Sequence, residues 1–223
     1  PHDISDGWLV GYERISQELG AIWPGLPELK PSTQERTAAA SSLRSTGVSA
    51  ESHVVAFQVG VWSPQAWKQW PTNLLSEAIK STWGDHKAHP VLVGAPDSIE
   101  SAESIVRENP DIPIVSLVGK TNVAEAAALL AECDAVVSND SGLMHIASSV
   151  GVPTLGLFGP SREEHYAPWG MFGGSVRTPE SYDEIVGVEN YDYSAEAPSH
   201  MRSLTVDRVV EAAEEHFKGL FGG

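Results

Sequence analysis

The residues best suited to do chemistry lie in one run, Ser138-Asn139-Asp140-Ser141-Gly142-Leu143-Met144-His145. Polar side chains crowd there because an apolar strand, Ala135-Val136-Val137, hands over to a helix read from Ser141 to Val150. The first amides of a helix have no acceptors inside it, and the helix dipole favours an anion at that end. The amides of Ser141, Gly142, Leu143 and Met144 therefore suit a diphosphate. The same run also suits an ordinary cap, with Asn139 or Asp140 bonding the first turn, and the residues alone leave both readings open. Asp140 repels a phosphate set directly beside it. It is better used on sugar or ribose hydroxyls, or on the cap.

Charge narrows the range of ligands and partners. The chain of 223 residues carries 14 Lys+Arg against 30 Asp+Glu, a formal charge of −16. A duplex nucleic-acid binder needs a basic face, so that class is disfavoured. The acidic surface also repels anionic membranes. The few cations near glycine-rich junctions gain weight as phosphate ligands, and Lys68, Lys120 and Arg162 are the candidates. Cys133 is the only cysteine. It excludes an intrachain disulfide, suits a reducing compartment and falls in an apolar run that reads as an inert buried thiol. Asp85-His86-Lys87-Ala88-His89 has no cysteine nearby and reads as a surface loop rather than a zinc site, so no metal is expected. The sequence holds neither a phosphate loop of the form Gly-x-x-x-x-Gly-Lys-(Ser/Thr) nor a Gly-x-Ser-x-Gly elbow. Glu163-Glu164 are loop neighbours and need not face each other as a hydrolytic carboxylate pair.

The elements that must position these residues follow from the pattern. Trp8, Tyr12, Ile15 and Leu19 recur at helical spacing within 5–20, and Trp23-Pro24-Gly25-Leu26-Pro27 reads as a turn-rich linker. Ser32-Thr33-Gln34-Glu35 opens a helix to about Arg44, ended by Gly47. From His53 onward, short apolar runs alternate with helices. Strands are predicted at 54–57, 91–93, 114–118, 135–137 and 154–158, with helices at 71–83, 98–108, 122–132 and 141–150. Residues 161–203 read as loop with one candidate strand near Val176, and 205–217 as a closing amphipathic helix. Five buried strands alternating with four helices predict an α/β fold, a Rossmann-like doubly wound parallel sheet. Ligands of such sheets bind outside the carboxyl ends of the strands. That rule selects the loops 60–68, 94–98, 119–122, 138–145 and 159–165. No apolar run reaches the roughly 18 residues a membrane-spanning helix needs. No signal peptide is visible, and the start at Pro1 leads us to expect an upstream segment.

One family resembles this arrangement. Asn139-Asp140-Ser141-Gly142-Leu143-Met144-His145-Ile146-Ala147, followed by Gly151-Val152-Pro153 and Phe158-Gly159-Pro160, is similar to the signature of the glycosyltransferase family nine heptosyltransferases. Trp67-Lys68-Gln69-Trp70-Pro71 resembles that family's Lys-Arg-Trp-Pro element, and Met201-Arg202-Ser203-Leu204-Thr205-Val206 its closing segment. The resemblance covers about residues 53–217. It implies one half of a two-domain GT-B glycosyltransferase. Residues 53–223 would form the nucleotide-sugar-binding domain, and residues 1–52 a helical connection from an N-terminal acceptor domain not in this chain.

The roles that the resemblance implies are these. Lys68 neutralises the leaving diphosphate and so serves both binding and catalysis. Asp140, Ser141, Gly142 and Met144 hold the phosphates and the transferred sugar. His145 bonds a phosphate or sits as a core histidine, and Ser161 bonds a phosphate or sugar or merely makes a turn. Asp97 accepts ribose hydroxyls, with Ser98 as its competitor for that role, and Val118-Gly119-Lys120-Thr121 lies beside the base. The donor is a nucleotide sugar, ADP-heptose or a related one, without metal or other cofactor. The acceptor is a lipopolysaccharide-type or other glycan, or a lipid-linked one. Transfer would proceed with inversion in the whole protein, and the isolated chain is expected to be inactive. A cytoplasmic location, with at most peripheral association at the inner face of the inner membrane, goes with that role. Phe57-Gln58-Val59-Gly60 replaces the family's usual His-Pro-Gly, and Val61-Trp62-Ser63-Pro64-Gln65-Ala66 is bulkier than usual. Two alternatives follow: a non-catalytic nucleotide- or partner-binding module of the same fold, or a sugar-nucleotide epimerase-like enzyme.

Overall fold

A computed structural model of the chain describes residues 27–61, 63–86, 88–170, 172–187 and 199–218. The helix expected over 5–20, most of the linker before Pro27, and Trp62 lie outside the described residues. In chain order the elements are α1 (Thr33–Ser45), β1 (Val54–Gln58), a 3-10 turn (Ser63–Lys68), α2 (Thr72–His86), β2 (His89–Val93), a second 3-10 turn (Pro96–Ser98), α3 (Ile99–Glu108) and β3 (Val115–Ser116). They continue with α4 (Val123–Leu130), β4 (Ala135–Asn139), α5 (Gly142–Ser149), β5 (Thr154–Phe158), α6 (Glu163–Tyr166), β6 (Gly173–Arg177), α7 (Tyr182–Val186) and α8 (Val206–His216).

The strands form one six-stranded sheet in the order β3-β2-β1-β4-β5-β6, and every pairing is parallel. The doubly wound expectation therefore holds, with a sixth strand where only Val176 had hinted at one. β1, β4 and β5 are buried at every position, because helices cover both faces. Side chains alternate between two cores, as strand geometry requires. Val55, Phe57, Leu92, Ala135, Val137, Leu155 and Leu157 enter one core, with Ile79, Ile105 and Val209 from α2, α3 and α8. Val54, Ala56, Val91, Val93 and Val136 enter the other, with Leu43, Leu129, Leu130 and Ala147 from α1, α4 and α5. Helix α1 is thus part of this domain's packing, and Arg36 Nε donates to Glu132 Oε1 at 2.7 Å.

Several ends follow their sequence signals. Ser32 with Glu35 and Asn122 with Glu125 form capping boxes, and Thr205 caps α8. β3 is shorter than expected. As an edge strand after Pro113 it pairs regularly at only two residues, although Leu117 N–H still reaches Leu92 O and Gly119 N–H reaches Gly94 O. The stretch after Ser161 is less loop-like than predicted, since α6, β6 and α7 lie in it. Elements of four and five residues are too short to show periodicity, although Ser181 with Glu184 is a capping box.

Candidate functional site

The sheet order reverses between β1 and β4, and such a switch point opens a crevice at the carboxyl ends. The register places Phe57 against Val137, so Gln58 and Ser138 follow side by side at the mouth. Both are buried. Ser138 Oγ donates to Gln58 Oε1 at 2.5 Å, and Ser141 Oγ donates to the same oxygen at 2.8 Å. Asn139, also buried, ties the two strand ends to the next loop. Its Oδ1 accepts from Trp70 N–H at 2.8 Å, and its Nδ2 donates to Gly60 O at 3.3 Å. Gly60 has φ of +75°, and a Cβ there would stand 2.0 Å from Ser98 Oγ. Only glycine allows the β1 loop to cross the β2 loop so closely.

Lys68 ends the 3-10 turn after β1. The turn is fixed from behind. Trp70 is 2% exposed, its Nε1 donates to Leu204 O at 2.9 Å, and His200 N–H donates to Trp67 O at 3.0 Å. The closing segment before α8 therefore braces the lysine loop. Lys68 Nζ lies 2.7 Å from Asp140 Oδ2, with the two side chains 15% and 7% exposed. It also stands 5.3 Å from the Trp67 ring and 5.9 Å from the Tyr166 ring, within cation–π range.

The capping alternative for this run is settled by these contacts. Asp140 is taken by Lys68, Asn139 by Trp70 and Gly60, and the N-cap Ser141 makes no side-chain cap bond. Among the described residues, no side chain accepts from the first amides of α5, which follow directly on the Asp140 that pairs with Lys68. Gly142 is exposed at the first helical position. Met144 is fully buried, and its sulfur would lie 2.7 Å from a Cβ at Gly156. Its side chain belongs to the core, so only its amide faces a ligand.

His145 is neither a surface nor a simple core histidine. Its ring stacks on Trp169 with centroids 4.6 Å apart and planes 8° from parallel, and its Nδ1 is buried without a hydrogen-bond partner. Burial lowers its pKa below 6.5, Asp140 opposes that shift and Lys68 adds to it. The imidazole is therefore neutral at pH 7. Ser161, after β5, is 5% exposed and its Oγ has no partner. The adjoining loop is held by Arg177, which pairs with Glu163 and donates from Nη2 to Gly159 O at 2.9 Å. Asp97 stands apart, exposed in the turn after β2, where it accepts from Ser98 Oγ at 3.2 Å. The buried Ser98 turns toward Gly60, so Asp97 is the outward-facing group of the two.

Gln58, Trp169 and Tyr166 were not singled out from the sequence as site residues. Gln58 carried a signal, since a polar residue ended an apolar strand next to the switch point. Trp169 and Tyr166 lie in a segment read as loop, and nothing local marked them. The six-stranded parallel sheet defines a doubly wound α/β domain, with a Lys–Asp pair and a helix start without a side-chain cap at its switch point.

Comparison with known proteins makes that class specific. Residues 15–185 match the family model described as "Glycosyltransferase family 9 (heptosyltransferase)". The chain belongs to that family. It is 28% identical over 209 residues to lipopolysaccharide heptosyltransferase 2 of Escherichia coli K12, covering 90% of this chain and 56% of that protein. The fold is similar to that of a glycosyl transferase family 9 protein from Veillonella parvula, with TM-score 0.77 and 25% identity over 92% of this chain and 58% of that one. It is also similar to E. coli ADP-heptose LPS heptosyltransferase II, with TM-score 0.67 and 25% identity over 88% and 54%. The chain thus spans little more than half the length of these relatives. Among the described residues no helix is long and apolar enough to cross a membrane.

Proposed function

We propose that this chain is the donor-binding half of a heptosyltransferase-type enzyme, holding a nucleoside-diphosphate sugar at the β1–β4 crevice. The observation that carries the reading is the Lys68 ammonium, 2.7 Å from Asp140 and beside the uncapped start of α5. The diphosphate docks on the amides of Ser141, Gly142, Leu143 and Met144 and draws Lys68 onto its oxygens. Asp140, released from the lysine, accepts hydroxyls of the transferred sugar. Asp97 accepts the ribose hydroxyls, and the loop after β3 carries the base. His145 and Ser161 stand at the edge of the phosphates, each with a buried polar atom free to pair. The E. coli relative named for ADP-heptose supports an ADP sugar as donor.

In the complete enzyme an acceptor hydroxyl attacks the anomeric carbon, the bond to the diphosphate breaks with inversion, and the nucleoside diphosphate leaves. A pre-placed cation and helix start lower the cost of that developing charge. The acceptor, a lipopolysaccharide-type glycan, and the base that deprotonates it are assigned to the part of the relatives' length that this chain does not span. Residues 1–52 connect to that part, although α1 packs on this domain. A cytoplasmic location at the inner face of the inner membrane follows from this role.

Titration calorimetry of the chain with ADP, UDP and GDP tests the reading. Binding of a nucleoside diphosphate, ADP most tightly, is expected. A folded sample that binds none of the three overturns it.

A further inference from the structure

The crevice holds a group whose role lies outside the family signature. Gln58 Oε1 sits between two hydroxyls, accepting from Ser138 at 2.5 Å and from Ser141 at 2.8 Å; the Ser138 hydroxyl has Asn139 O as a second, longer acceptor at 3.0 Å. Gln58 and Ser138 are 7% and 1% exposed, so the arrangement is closed on the protein side. A carbonyl oxygen has two lone pairs, and these two bonds use both. A serine hydroxyl has a single proton. The Ser141 proton is therefore turned inward, toward the strand end, and what Ser141 Oγ offers the crevice is lone pairs. Phosphate oxygens at neutral pH are acceptors, so an acceptor-only hydroxyl gives them nothing. A sugar hydroxyl, by contrast, has a proton to donate.

On this basis, and resting on the donor-site reading above, we infer that Gln58 is a positioning residue that makes Ser141 Oγ a reader of a sugar hydroxyl rather than a phosphate ligand. The backbone amides at the start of α5 then serve the diphosphate, while Ser141 Oγ and Asp140 serve the sugar. The division explains why Ser141 does not cap its own helix. Its hydroxyl is drawn back to Gln58, which leaves the first-turn amides open. The opposite amide orientation would present Nε2 to both serines and free the Ser141 proton for phosphate. The two arrangements differ in which ligand suffers when Gln58 is changed.

The experiment compares affinities of the whole chain for ADP and for ADP-heptose by calorimetry, in the wild type and in Gln58→Met, Gln58→Glu and Ser141→Ala. The ratio of the two dissociation constants reads the contribution of the sugar. Gln58→Met removes the acceptor and should lower that ratio about 5- to 10-fold, the worth of one neutral hydrogen bond, while ADP affinity stays within about twofold. Ser141→Ala should do the same, and the double variant Gln58→Met/Ser141→Ala should be no worse than either single one. Gln58→Glu keeps acceptor oxygens toward both serines and should preserve the ratio even if its charge weakens both ligands. A parallel loss of ADP and ADP-heptose affinity in Gln58→Met, or additive losses in the double variant, overturns the inference and leaves the donor-site reading standing. If the folded wild type binds neither ligand, both fall together.

Discussion

Replacing the two members of the Lys68–Asp140 pair should have opposite effects on nucleotide affinity. In the free protein the ammonium is held at 2.7 Å by a carboxylate whose side chain is 7% exposed. A diphosphate must share or take that cation. Lys68→Ala removes a charge-assisted contact worth about 1.5–3 kcal/mol, which corresponds to roughly 10- to 150-fold weaker ADP binding. It also leaves Asp140 uncompensated beside the phosphates, which pushes the loss toward the upper end. Asp140→Asn keeps the shape, removes the competing charge and frees Lys68. At about 4–6 Å and an effective dielectric constant near 20, one charge is worth roughly 3–4 kcal/mol. Salt and the relaxation of Lys68 leave only part of that, so a gain of about 3- to 10-fold in ADP affinity is expected. The double variant should recover part of the Lys68→Ala loss, because the repulsion has gone with the cation. Calorimetry at low and at physiological salt gives all four corners of the cycle, and the wild-type affinity should fall with salt. ADP binding that weakens in Asp140→Asn would refute the competition argument and make Asp140 a direct nucleotide ligand.

Other outcomes follow from single features. The Cys133 thiol is buried and its pKa is pushed up to about 12 by burial first and by Asp134 and Glu132 next, so a thiol reagent at pH 8 should label it only on unfolding. Gly60→Ala places a Cβ 2.0 Å from Ser98 Oγ at a φ of +75°, and should lower stability by about 1–3 kcal/mol, read as a fall in melting temperature. His145 and His89 both have pKa values lowered from 6.5 by burial. The unfolded chain therefore takes up protons first as pH falls below 6.5, and stability is lost in that window. Urea unfolding at several pH values should show that slope, and His145→Gln should reduce it.

Periodicity and alternation made the sheet legible, because buried parallel strands must be short and apolar and their helices amphipathic. The pattern pointed to a doubly wound sheet, but the strand order β3-β2-β1-β4-β5-β6 is read from the structure. The reading weakened where elements were too short for a period to show, as at Ser63–Lys68, Glu163–Tyr166 and Tyr182–Val186. Lys68, Asp140 and Ser141 were singled out because the switch-point rule and the family signature pointed to the same places, and the structure brings them together at the ends of β1 and β4. Contacts between distant segments were not legible. No local signal says that Trp169 stacks on His145, or that Trp70 would pair its amide with Asn139 and its indole with Leu204.

Those long-range contacts explain why no side chain from the β4 end caps α5. The polar side chains at and just after the ends of β1 and β4 have partners inside the protein: Gln58 has two serines, Asn139 has Trp70 and Gly60, and Asp140 has Lys68. A helix start normally takes its cap from the residues just before it. Here those residues are committed elsewhere, and Ser141 makes no cap bond. A free side chain among them would be available to cap the first-turn amides. Trp70 matters for this reason. Its backbone N–H donates to Asn139 Oδ1 and its indole Nε1 donates to Leu204 O, which fixes the lysine loop where Lys68 Nζ meets Asp140. Among the described residues, the fold thus sets the Lys68–Asp140 pair beside first-turn amides that no side chain caps, which is what supports the proposed diphosphate site.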